Sequence, residues 1–179
     1  VKNIKAHVVV DFDVSGSTRD LYKYGFFQKA FQQVLPIGIL FDDNQEVDVF
    51  TFSSTGVCDH LPVNATSKNY ENYVEKQILN SDITKWQGTD YAHVLQENIN
   101  AFGFYREAVT ETSSFFGLFK KKVAETKLHT TSATGYPVIV FFFTDGENGD
   151  PNETYKLLKE CQDNKLNIYC LLYTSPSPR

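Results

Sequence analysis

Residues 6–14 read Ala-His-Val-Val-Val-Asp-Phe-Asp-Val, an apolar run that is nearly unbroken and ends in acidic residues. A half-exposed strand would alternate apolar and polar side chains. A run like this one suits a strand covered on both faces, which is the habit of parallel sheets with helices on either side. The segment Pro137–Phe143 has the same character and ends in Thr144-Asp145-Gly146. Two such strands commit the chain to a layered α/β architecture.

The segments between them fit that frame. Ser17-Thr18-Arg19-Asp20 reads as a helix start, with Ser17 as cap. Leu21, Tyr24, Phe27, Phe31 and Val34 follow at helical spacing, and Pro36 is expected to kink or restart the helix. Asp42-Asp43-Asn44 reads as a turn and Val47–Ser53 as a second strand. Val57–Val63 is expected to pair with it as a hairpin. A short helix over Tyr70–Leu79, a helix over Asp90–Phe102, another starting at Asp150-Pro151-Asn152, and a last strand over Leu166–Tyr173 complete the pattern. Residues 104–135 are the least regular, with a short helix expected near Lys120–Thr126. The expected fold is an open, mostly parallel, doubly wound sheet flanked by helices, with right-handed crossovers.

A chain of 179 residues suits one domain. The boundaries read as 1–173 for the domain, with the irregular insert 104–135, and 174–179 for a disordered or non-native tail. Leu171–Arg179 is similar to translated sequencing-adapter read-through, so the domain is expected to be truncated at its C-terminal edge. There is no methionine, which suggests a fragment of a longer protein. The net charge of −5 argues against nucleic acid or an anionic membrane as the main partner. No apolar run is long enough to span a membrane. Three scattered cysteines without a Cys-x-x-Cys pair suggest a reduced, cytoplasmic protein. The sequons at Asn64 and Asn152 carry no weight in that compartment.

Three polar clusters stand where strands or loops end: Asp13-Val14-Ser15-Gly16-Ser17, Gly88-Thr89-Asp90 and Thr144-Asp145-Gly146. Ligands of open α/β sheets bind beyond the carboxyl ends of the strands. The clusters offer oxygen donors of the kind a hard cation takes: hydroxyls from Ser15, Ser17 and Thr89, and carboxylates from Asp13 and Asp145, directly or through water. Mg²⁺ is the expected ion, with Mn²⁺ or Ca²⁺ as alternatives. So few carboxylates leave the ion able to accept an anionic oxygen from outside. Gly16 and Gly146 are expected to allow the tight turns beside the donors.

Asp-x-Ser-x-Ser, a distant Gly-Thr-Asp and a strand-ending Thr-Asp-Gly resemble the metal-ion-dependent adhesion site of von Willebrand factor A domains. The tellurium-resistance branch of that family is a closer likeness. It shows in Phe41-Asp42-Asp43, Val47-Asp48-Val49, Leu61-Pro62, Asn69-Tyr70-Glu71-Asn72-Tyr73, Gly88-Thr89-Asp90-Tyr91 and Thr144-Asp145-Gly146-Glu147-Asn148. The resemblance covers roughly residues 5–170. It implies a binding module of bacterial and phage stress-response systems, not an enzyme, with one metal ion on Asp13, Ser15, Ser17, Thr89 and Asp145 and a protein partner that completes the shell with an acidic side chain. Thr18 stands where a methionine is common, and Gln87 where a second glycine is common.

Other readings of the same residues compete. Ser15 and Ser17 could be helix caps and Asp13 a turn residue. Asp90 is expected to cap the helix that follows it. Asp11 lies on the same strand face as Asp13 and is read as support for the metal or as a hydrogen-bonded core residue. Phe115–Lys122 could meet a membrane surface, or pack on its own domain. His7, His60, His93 and His129 are too scattered for zinc, and Trp86 reads as packing. Asp11-Phe12-Asp13 also resembles the first motif of haloacid-dehalogenase-type phosphatases. In that alternative Asp11 is the nucleophile, Asp13 the acid/base, Ser53 the phosphate-binding hydroxyl, and Asp145 and Asp150 hold Mg²⁺. It leaves Ser17, Gly88 and Thr89 without a role, and its lysine would have to come from Lys120–Lys122.

Overall fold

The computed structural model describes residues 5–104, 106–115, 119–128 and 130–174, and for residues 106–128 the backbone only. Strand β1, His7–Asp13, lies at the centre of a five-stranded sheet of order β3-β2-β1-β6-β7. The other members are β2 (Asp48–Phe52), β3 (Cys58–His60), β6 (Val138–Thr144) and β7 (Ile168–Thr174). β1 pairs in parallel with β2 and β6, and β6 in parallel with β7. Only β3 is antiparallel, joined to β2 as a hairpin.

The near-continuous apolar strand is explained by its two covers. Val8, Val10 and Phe12 enter one core with Phe27, Phe31 and Leu35 of α2 (Phe26–Phe41). Val9 enters the other with Val94, Leu95 and Ile99 of α3 (Tyr91–Ala101), together with Val140 and Phe142 of β6. Helix α4, Pro151–Asp163, lies on this second side through Leu157 and Cys161, while Leu158 is largely exposed. The doubly wound sheet expected from the sequence is thus the observed one.

Local details differ. The first helical stretch is broken at Gly25, not at Pro36. α1 spans Arg19–Lys23, Gly25 takes a left-handed conformation with φ of 69°, and α2 then runs through Pro36 without interruption. Pro36 is exposed, so the helix carbonyl it strands can face water. Tyr70–Asn72 is a 3-10 turn and Val74–Leu79 a π-helical segment, in place of one short helix.

The largest correction falls in 104–135. The helix expected near Lys120–Thr126 is instead strand β5 (Phe119–Leu128), which pairs antiparallel with β4 (Arg106–Phe115), from Arg106 opposite Leu128 to Phe115 opposite Phe119. The strand opposite it, with Thr110 and Thr112 among its residues, supplies ladder partners that outweigh the weak local helix preference of Lys120–Thr126. The possible surface contact of Phe115–Lys122 lies outside the described side chains. Among the described residues, no helix is long and apolar enough to cross a membrane.

Candidate metal centre

β2 lies on one side of β1 and β6 on the other, so the strand order reverses at the carboxyl ends of β1 and β6. A crevice opens at such a point. Asp13 ends β1 and Thr144 ends β6, and both are fully buried. Asp13 Oδ1 accepts the Ser15 N–H at 2.9 Å, and Asp13 Oδ2 accepts the Thr144 hydroxyl at 2.7 Å. Burial pushes the Asp13 carboxyl up to about 6, and the charge of Asp145 adds to the rise against the hydrogen bonds from Ser15 and Thr144. A cation between the two carboxylates would reverse that penalty.

The Ser15 and Ser17 hydroxyl oxygens lie 3.1 Å apart. Two neighbouring corners of an octahedron with metal–oxygen distances near 2.1 Å are about 3.0 Å apart. The spacing therefore suits joint ligation as well as a direct hydrogen bond. Neither serine caps a helix. The residue before α1 is Thr18, which also makes no capping bond. Its hydroxyl reaches back to the carbonyls of Asp13 and Ser15, at 3.1 and 2.9 Å, and the Tyr22 hydroxyl donates to the Asp13 carbonyl at 2.9 Å. This loop is held from beneath; Ser15 is fully buried, and Ser17 is exposed and lines the cleft. Gly146 turns with φ of 97°, as its position demands, whereas Gly16 has no left-handed φ.

The loop carrying Thr89 is laced to its neighbours. Trp86 N–H donates to the Val14 carbonyl at 2.6 Å, Gly16 N–H to the Gln87 carbonyl at 2.8 Å, and Asp90 N–H to the Ser53 carbonyl at 2.8 Å. Ser53 itself donates to the Gly88 carbonyl at 2.9 Å. On the other side, Gly149 N–H meets the Thr89 carbonyl at 2.5 Å. Thr89 and Ser17 line one cleft of about 470 Å³ with Gln87, Gly88, Glu147, Asn148 and Gly149. Asp145 is half-buried, and its Oδ1 accepts the Glu147 N–H at 3.2 Å. Of the five expected donors, Ser17 and Thr89 share this cleft, Ser15 meets Ser17, and Asp145 acts on Asp13 through its charge.

Asp90 does not cap α3. Its Oδ2 accepts the Thr55 N–H at 2.5 Å and the Thr55 hydroxyl at 2.7 Å. The cap comes from across the crevice: Asp150 Oδ1 accepts the Tyr91 N–H at 2.8 Å and Oδ2 the Ala92 N–H at 3.0 Å, while the Thr154 hydroxyl donates to Oδ1 at 2.8 Å. Asp150 so ties the start of α3 to the start of α4. Its place before Pro151 signals a helix start, but nothing local signals the second helix.

Asp11 is fully buried. Its Oδ2 accepts the Asn98 amide at 2.6 Å, and its Oδ1 is without a partner. Burial holds its carboxyl well above the usual range, against the lowering by Asn98. Its partner Asn98 belongs to α3. Among the described residues, no three His, Cys, Asp or Glu side chains gather as a metal group. A set of two carboxylates and three hydroxyls is of a different composition. His7 pairs with Asp43 and Thr134, and His60 stacks on Phe50, both far from zinc-like clustering; His129 lies outside the described residues. A larger hollow of about 530 Å³ between α3, α4 and β7 is mostly apolar and contains none of the five donors.

A sequence model of the von Willebrand factor A domain found in the TerF C terminus matches residues 5–168. An uncharacterised protein of Bacillus subtilis (strain 168), YcbR, is 31% identical over 117 residues, which cover 65% of this chain and 44% of that protein. The chain therefore spans less than half the length of this curated relative. Two crystal forms of proximal thread matrix protein 1 from the mussel byssus share the fold, with TM-scores of 0.54 and 0.51 at 16% and 18% identity. Each covers 95% of this chain, against 38% and 37% of the mussel chain. Matched over most of its length, the chain belongs to the von Willebrand factor A domains of the TerF-like type.

Proposed function

We propose that this domain is a metal-dependent protein-binding module. One divalent ion, Mg²⁺ or else Mn²⁺ or Ca²⁺, is held by Asp13, Ser15, Ser17, Thr89 and Asp145, directly or through water. A partner completes the shell with an acidic side chain, in a cytoplasmic tellurium-resistance or stress-response setting. The observation that carries the reading is the Ser15–Ser17 oxygen spacing of 3.1 Å beside a buried Asp13. When bound, the ion supplies a Lewis-acidic position for an incoming carboxylate. The protein's part is to hold the donors in place: Thr18 and Tyr22 brace the first loop, and Gly149 and Asp150 join the second to the third.

Isothermal titration with Mg²⁺, Mn²⁺ and Ca²⁺ tests this. One site is expected in the wild type, weakened at least tenfold in Ser15→Ala and Thr89→Ala. Absence of heat with all three ions sinks the reading. The phosphatase alternative needs Asp11 to reach substrate, and its complete burial against Asn98 counts against that. Loss of a measured phosphatase activity in Asp11→Asn would revive it.

A further inference from the structure

A further carboxylate, that of Glu147, lines the cleft beside the proposed ion ligands. Glu147 is exposed and lines the cleft with Ser17 and Thr89, and its backbone is bound to Asp145 Oδ1. A hydrogen-bonded relay marks the same neighbourhood. The Tyr91 hydroxyl lies 2.8 Å from Thr144 Oγ1, and Thr144 donates to Asp13 Oδ2. The charges of Asp13, Asp145 and Glu147 all act on the Tyr91 phenol, which burial already pushes up. No Lys, Arg or His lines the cleft, and Glu147 forms no ion pair among the described residues.

The charge balance follows. With the proposed ion on Asp13 and Asp145, those two carboxylates balance its charge, and Glu147 in the cleft adds a negative charge that nothing lining the cleft offsets. A partner that brought only an acid would add another. Like charges meeting in one cleft oppose docking. An acid can still ligate if a cation arrives with it and settles on Glu147. The cleft, at about 470 Å³, has room for more than one side chain.

We propose that the partner presents a carboxylate with a lysine or arginine beside it, the carboxylate for the ion and the base for Glu147. This rests on the adhesion-type reading above, and it adds a specificity-determining residue and a charge pattern for the partner. A uniformly acidic surface is excluded as the docking face.

The test is a random peptide display panned against the protein in Mg²⁺ and released with EDTA. Among released peptides that carry Asp or Glu, Lys or Arg should be enriched about fivefold within two residues of the acid, the scale of one rim ion pair. In Glu147→Lys, an exposed change, that enrichment should vanish and a second acid take its place. EDTA-released peptides with an acid but no basic neighbour, or a preference unmoved by Glu147→Lys, would overturn the inference while leaving the metal site standing. No EDTA-released peptide, and a wild type that behaves as Ser15→Ala does, would overturn the adhesion-type reading itself.

Discussion

Gly149→Ala puts the coupling between the crevice loops to a quantitative test. A Cβ at Gly149 would stand 2.7 Å from Asp90 Oδ1 and 2.9 Å from the Thr89 carbonyl. Neither neighbour yields easily. Thr89 offers backbone, and Asp90 is pinned by two bonds from Thr55. Ordinary contact needs a retreat of about 0.5 Å or more. The φ of Gly149 is not in the left-handed region, so alanine meets no backbone strain. On chain entropy alone it would stabilise by about 0.4–1 kcal/mol. Overpacking costs about 1–3 kcal/mol, so the net expectation is a loss of about 1–2 kcal/mol in urea unfolding. The displaced loop carries Thr89, so Mg²⁺ affinity should fall about tenfold. Gly135→Ala is the control. It has φ of 79° and open space around the added carbon, so it should lose stability without losing ion affinity. A Gly149→Ala protein that is more stable than wild type and binds Mg²⁺ equally well would refute the reasoning.

Three further outcomes are expected. Ion affinity should fall about tenfold per pH unit below 6, because a protonated Asp13 cannot ligate. The metal-free fold should respond in the opposite sense. The Asp13 carboxyl is raised in the folded state, so between about 6 and its ordinary value near 3.8 the folded form binds more protons, and stability rises as pH falls through that window. Asp11 shifts the same way, so the check is the difference between wild type and Asp13→Asn in urea unfolding across pH 4–7. Phe12→Ala empties a fully buried site packed among Phe27, Phe31 and Phe143, and should cost about 3–5 kcal/mol by denaturant titration. Asp150→Ala strips the acceptor from the first two N–H groups of α3, and should cost about 1–2 kcal/mol with a parallel loss of Mg²⁺ affinity by calorimetry.

The sheet was readable because its central strands are covered on both sides, and that leaves a pattern in the residues themselves. Val8 to Phe12 and Val138 to Phe143 carry it. The candidate donors Asp13, Ser15, Ser17 and Asp145 stand out because they sit at or just behind those strands, whereas Thr89 lies in a loop before α3. What the residues alone could not reveal depended on distant contacts. Whether Pro36 breaks a helix depends on which side of α2 meets water. Whether Lys120–Thr126 coils or extends depends on the strand opposite. Asp90 and Asp150 each precede a helix and look alike in sequence. Only the approach of the β6–α4 loop to Thr89 decides that Asp150 caps α3 while Asp90 turns to Thr55.

The central claim is a single ion on five named side chains. Crystals grown in Mn²⁺ and measured for its anomalous scattering test it most directly. One strong peak is expected in the crevice, about 2.0–2.2 Å from the Ser15 and Ser17 hydroxyl oxygens, with Asp13, Thr89 and Asp145 around it directly or through water. A well-ordered crevice with no peak, or a peak lodged instead between Asp90 and Asp150, would contradict it.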